Sequence, residues 1–140
     1  MFCYLTTIQL GDTDATGVIY FAQQLSLALK ATEAFLRPTP FSFRGIVDSI
    51  YLMPVVHAES DYIAALRVDD EVEIQMYLDN IGTSSFSLSF DFFNKTTQTL
   101  AGTAKITHVV TLKQTQKSTP IPAELRAILS ALSSTMESRA

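Results

Sequence analysis

The sequence predicts an α+β fold, an antiparallel β-sheet wrapped around one long central α-helix, in a single domain spanning residues 1–140. Three observations predict it. An almost wholly apolar helical segment comes early and ends at two prolines; segments of period two follow it one after another; and 140 residues, 47% hydrophobic and 17% charged, suffice for one sizeable core. An apolar helix must be covered, and strands with one polar face cover it only if the sheet curls over it.

Residues 2–10 are rich in aromatic and β-branched side chains and stop at Gly11-Asp12, which reads as a strand running into a turn. After Gly17 the period changes. Phe21, Leu25, Ala28, Leu29, Thr32, Phe35 and Leu36 follow helical spacing, and Leu27, Ala31 and Ala34 make other faces apolar too, so this helix is expected to be buried on most sides. It must end before "RPTP". Residues 41–48 accommodate one or two further helical turns.

From Tyr51 the period is two. "PVVHAESDYIAAL" is extended; Val72, Ile74, Met76 and Leu78 then alternate with Glu71, Glu73, Gln75 and Tyr77. Phe86, Leu88, Phe90 and Phe92 alternate with Ser85, Ser87, Ser89 and Asp91, and "NKTTQT" supplies a turn before a long strand over residues 100–112. These strands form an antiparallel meander. "KQTQKSTPIP" is a surface connection, and Leu125, Ile128, Leu129, Leu132 and Met136 mark a closing amphipathic helix.

A net charge of -4 with ten scattered basic residues does not supply the clustered cationic surface that nucleic acid requires. The lone Cys3 cannot form an internal disulfide, has no basic neighbour to activate it, and is expected to pack in the core; two histidines far apart, His57 and His108, make a zinc site unexpected. The N-terminus lacks the features of a signal peptide and no apolar run is long enough to span a bilayer, so a soluble cytoplasmic protein is expected, with no membrane partner.

The stretch that carries chemistry is "LGDTDATGVIYFAQQL", which sets Asp12 and Asp14 at the mouth of the apolar helix. Taken alone it is compatible with an ordinary capped turn. However, an aspartate, two residues, a glycine, two apolar residues and an aromatic pair, here Asp14 to Phe21, resembles the N-terminal signature of hot-dog-fold acyl-CoA thioesterases of the 4-hydroxybenzoyl-CoA thioesterase type. "PVVHAESDY", "DDEVEIQM" and "THVV" followed by "PIP" resemble later parts of the same family, so the likeness covers nearly the whole chain. One departure is Asp69, where the family commonly has glycine. "GVIYF" and "PVVHA" are most similar to the branch acting on 1,4-dihydroxy-2-naphthoyl-CoA in phylloquinone synthesis.

The resemblance implies an acyl-CoA substrate, no metal or other cofactor, and a homotetramer built as a dimer of dimers. It puts the catalytic carboxylate on Asp14 and leaves Asp12 structural. That division is chemically sound: a carboxylate at a helix start can attack a thioester carbonyl or activate a water, while unpaired N–H groups, that of Phe21 foremost, stabilise the oxyanion. Gly17, which lets backbone approach the acyl group, Tyr20 and His57 are the expected substrate contacts, and Lys113 and Lys117 the expected partners of the coenzyme A phosphates. His57 and His108 also fit structural roles, and Glu33 fits either a buried pair or a subunit contact. The alternatives are hydrolysis of another aromatic or short-chain acyl-CoA, or a non-catalytic acyl-binding module on the same fold.

Overall fold

The computed structural model describes residues 1–132. Alternation governs the sheet. In β4 (Glu71–Ile81) Val72, Ile74, Met76 and Leu78 are buried on one face, as are Phe86, Leu88, Phe90 and Phe92 in β5 (Ser85–Asn94). Together with β1 (Phe2–Thr7), β3 (Val55–Tyr62) and β6 (Thr99–Val109) they form a five-stranded antiparallel sheet in the order β1-β4-β5-β6-β3. β4, β5 and β6 are the expected meander. β1 and β3 occupy the edges, and β3 is exposed along nearly all of its length.

Helix α1 (Gln23–Leu36) lies on the apolar face, where Leu27, Ala28, Ala31 and Leu36 join Ile74, Met76 and Phe90 in a core cluster. Each fully buried large side chain there stabilises the fold by about 1.5–3 kcal/mol. The helix ends at Leu36 with Arg37 as its C-cap, still helical in its dihedrals and bonded to the Glu33 carbonyl, because Pro38 lacks the N–H that would continue the ladder. A short helix α2 (Phe43–Val47), capped by the Ser42 hydroxyl on the Gly45 N–H at 3.0 Å, falls within the expected segment. β2 (Tyr51–Leu52) pairs with β7 (Thr111–Leu112) in a small second sheet. Helix α3 (Ala123–Ser130) closes the described chain, burying Leu125 and Leu129; Met136 lies outside the described residues. Among the described residues no helix is long and apolar enough to cross a membrane.

Several expectations are corrected. β1 ends at Thr7, because Ile8 turns to exchange backbone bonds with Asp69 and Asp70 and residues 10–12 form a 3₁₀ turn. Helix α1 is buried on one face only; Leu29 and Lys30 face outward, and Phe21 precedes the helix. The long strand splits after Val109, as β7 leaves the large sheet to pair with β2. Cys3 is exposed, since odd positions of β1 point away from the core. Tyr77, on the nominally polar row of β4, is fully buried.

The turn before β4 resolves the departure at Asp69. Its φ is +72°, the left-handed region natural to glycine, which aspartate tolerates better than most residues. Asp70 secures that turn by accepting from the Arg67 N–H at 2.8 Å and from Asn94 Nδ2 at 2.9 Å.

Candidate active site

Asp12 and Asp14 are two residues apart and differently employed. Asp12 is 8% exposed; its Oδ2 accepts from the Gln9 N–H at 2.8 Å and its Oδ1 from Gln23 Nε2 at 2.9 Å, tying the 3₁₀ turn to the first residue of α1. Asp14 is exposed at the edge of a cavity. Its Oδ1 accepts from both the Thr16 N–H at 2.8 Å and the Thr16 hydroxyl at 2.5 Å, and its Oδ2 accepts nothing among the described residues. The Thr16 hydroxyl first, and then the Thr16 N–H, hold the Asp14 carboxyl below its ordinary pKa, so it is ionised at neutral pH.

The loop is a small hairpin. Thr13 bridges Ile19, the Asp14 N–H donates to the Val18 carbonyl at 3.0 Å, and Gly17 closes the tip with φ +77°. A Cβ on Gly17 would meet no atom within 4 Å, so the backbone angle, rather than crowding by protein, is what calls for glycine. Bonds from the Ile19 N–H to the Leu66 carbonyl at 2.8 Å and from the Val68 N–H to the Gly17 carbonyl at 3.2 Å fix the hairpin to the segment after β3.

The start of α1 is pinned from below by Gln24, which is buried and whose amide nitrogen donates to Ser60 Oγ at 2.8 Å, the Asp61 carbonyl at 3.0 Å and the Thr103 carbonyl at 3.3 Å. Gly102 makes room for it: a Cβ there would lie 2.7 Å from Gln24 Nε2 and 2.7 Å from the Asp61 carbonyl oxygen. From β3 the Tyr62 hydroxyl donates to the Phe21 carbonyl. Above this anchorage the Phe21 N–H meets no acceptor among the described residues.

Asp14, Ile19, Tyr20, Phe21, Tyr62 and Ile63 line a cavity of about 450 Å³, within the range of small-molecule sites. The Tyr20 and Phe21 rings, 4.7 Å apart, form an aromatic wall. An ionised carboxylate with one oxygen uncommitted therefore shares an apolar cavity with the residue that bears an uncommitted backbone donor. That pairing suits attack on, or water activation at, a polarised carbonyl.

The chain thus brings Asp14, Tyr20 and Phe21 together, with Gly17 in the turn between them. It does not bring His57, Lys113 or Lys117 to them. His57 is exposed on β3, 3.5 Å from Glu59 and about 16 Å along the strand from Tyr62. Lys113 follows β7, bonds the Val47 carbonyl and borders a separate cavity of about 390 Å³ with Ile50 and Leu112; Lys117 lies in the turn beyond. Glu33 is partly exposed, 4.0 Å from Arg37 one helical turn on. His108 is buried, stacked on Phe86 and bonded through Nδ1 to the Met53 carbonyl at 3.1 Å; burial depresses its pKa and the carbonyl partly offsets that. Thr16, Gln24 and Tyr62 escape a reading of the sequence. Only Thr16 carried a local signal, an Asp-X-Thr turn.

Residues 8–129 match the family model described as the Thioesterase-like superfamily. A 1,4-dihydroxy-2-naphthoyl-CoA hydrolase of Rippkaea orientalis is 34% identical over 124 residues, 87% of this chain and 90% of that protein. One of Synechococcus elongatus is 35% identical over 125 residues, 85% of this chain and 88% of that protein. The crystal structure of a 1,4-dihydroxy-2-naphthoyl-CoA thioesterase from Synechocystis superposes with a TM-score of 0.86 at 25% identity, covering 92% of this chain and 95% of that one.

Proposed function

The chain belongs to the thioesterase-like superfamily, and from that premise we propose that it is an acyl-CoA thioesterase for an aromatic acyl group, 1,4-dihydroxy-2-naphthoyl-CoA foremost, with Asp14 as catalytic carboxylate. The observation that carries the site is the cavity that Asp14 shares with Phe21, Asp14 Oδ2 and the Phe21 N–H both being uncommitted. The substrate rests on the relatives that bear that name at 34–35% identity over most of both chains. A place in phylloquinone synthesis follows the same resemblance.

In this reading Tyr20 and Phe21 flank the acyl ring and the Phe21 N–H receives the negative charge as the thioester carbonyl becomes tetrahedral. Two routes share that geometry. Oδ2 attacks the carbonyl carbon, the C–S bond breaks, coenzyme A leaves as thiolate, and water hydrolyses the acyl-aspartyl anhydride; or Oδ2 takes a proton from a water that attacks directly. Both yield the free acid and coenzyme A. Oxygen-18 from solvent entering Asp14 in a single turnover marks the first route, with water attacking the aspartyl carbonyl of the anhydride; the second route puts solvent oxygen only into the product acid.

The test of function is release of free thiol from a panel of acyl-CoAs. The expected result is hydrolysis of aromatic thioesters with the naphthoyl substrate having the highest kcat/KM; no release above background from any member overturns the reading.

A single domain and a homotetramer, as a dimer of dimers, belong to the same proposal. Supporting assembly, the edge strand β3 leaves Val55 and Val56 exposed along an unpaired sheet edge. Antiparallel pairing of two such edges sets the His57 half of one strand beside the Tyr62 half of the other, which is how His57, Lys113 and Lys117 would approach a cavity. Sedimentation showing monomer alone at working concentration refutes the assembly.

A further inference from the structure

The hairpin tip holds a residue that neither the motif nor the comparisons assign. Thr16 makes two bonds to Asp14, from its N–H at 2.8 Å and from its hydroxyl at 2.5 Å, and both end on Oδ1. The N–H bond is the usual closure of an aspartate turn and any residue at this position supplies it. The hydroxyl bond is a property of the side chain. With two donors on one oxygen, rotation about the carboxylate axis is arrested and the two oxygens become chemically distinct.

We propose that Thr16 is a positioning residue: its hydroxyl clamps Oδ1 of Asp14 so that Oδ2 alone is presented to the thioester. This rests on Asp14 being the catalytic carboxylate. Reaction at a carbonyl requires the attacking or proton-accepting oxygen within a narrow range of distance and angle, and a carboxylate free to turn spends most of its time outside it. The same hydroxyl favours the ionised form and keeps the acid competent at lower pH. Neighbouring titratable groups leave that role to Thr16. Asp12 is committed to Gln9 and Gln23, Tyr20 and Tyr62 line the cavity without a bond to Asp14, and Arg67 lies on the segment bridged to Val18.

The test compares wild type with Thr16→Val, which keeps shape and N–H but loses the hydroxyl, and Thr16→Ser, which restores it. Thr16 is exposed, so both variants should fold, which thermal melts check. Thr16→Val is expected to lose about tenfold in kcat with KM little changed. The acidic limb of its pH–rate profile should move to higher pH, because removing a donor to the carboxylate raises its pKa and activity is lost as pH falls through that pKa. Thr16→Ser should recover both. A Thr16→Val enzyme with unchanged kcat and acidic limb overturns the role, and so does a Thr16→Ser enzyme as impaired as Thr16→Val, which would mark packing by the methyl group. Asp14→Asn separates this from the underlying reading. If that variant keeps its turnover, the assignment of Asp14 fails and the clamp with it; if it is inactive and Thr16→Val is normal, only the clamp fails.

Discussion

The two sides of the start of α1 treat their polar groups in opposite ways. Toward the sheet, Gln24 donates to groups on β3 and β6, and Asp12 has a donor for each carboxylate oxygen. Toward the cavity, Asp14 has donors on one oxygen only, and the Phe21 N–H has no acceptor among the described residues. Buried polar groups must be paired or the fold loses stability. Groups at an open cavity carry no such requirement, so they are free for a substrate. The fully paired side is what fixes their positions.

Three substitutions break or sharpen this contrast through stability. Gly102→Ala attacks the paired side hardest, because its Cβ would sit 2.7 Å from a backbone oxygen that cannot move independently of β3. A loss of about 1–3 kcal/mol in denaturant unfolding is expected, with a fall in kcat as the helix start shifts. An unchanged midpoint would show that the β3 backbone gives way at Asp61 as well as Gln24 swinging aside. Asp12→Asn replaces one acceptor by a donor and should cost about 1 kcal/mol, with kcat of the folded fraction within a few-fold of wild type. Asp69→Gly is the smallest and has the opposite sign: relief of a left-handed φ should stabilise the protein by about 0.5 kcal/mol, and a loss would mean that the Asp69 side chain contributes to the turn.

Much of the fold is legible in the sequence wherever a period is long and clean, as in β4, β5 and α1. Where partners lie far away in sequence, it is not. That β1 stops at Thr7 depends on Ile8 meeting Asp69 and Asp70, and that β7 leaves the large sheet depends on Tyr51 and Leu52. The open face of α1 also defeats composition, since Leu29 is apolar and still faces outward. At the site, Asp14, Gly17, Tyr20 and Phe21 fall within one continuous motif and could be named from it. Tyr62 and Gln24 could not, because the β3–β6 register, with Tyr62 opposite Gly102, is what carries them to the helix start.

The central claim is that Asp14, and not Asp12, carries the reaction. The most direct measurement is coenzyme A release from 1,4-dihydroxy-2-naphthoyl-CoA by Asp14→Asn beside Asp12→Asn, each with its unfolding curve. Asp14→Asn is expected to fold as the wild type and to lose at least about 10²-fold in kcat, while folded Asp12→Asn keeps its turnover. A folded Asp14→Asn protein with near-normal hydrolysis, whether or not Asp12→Asn is inactive, would contradict the account.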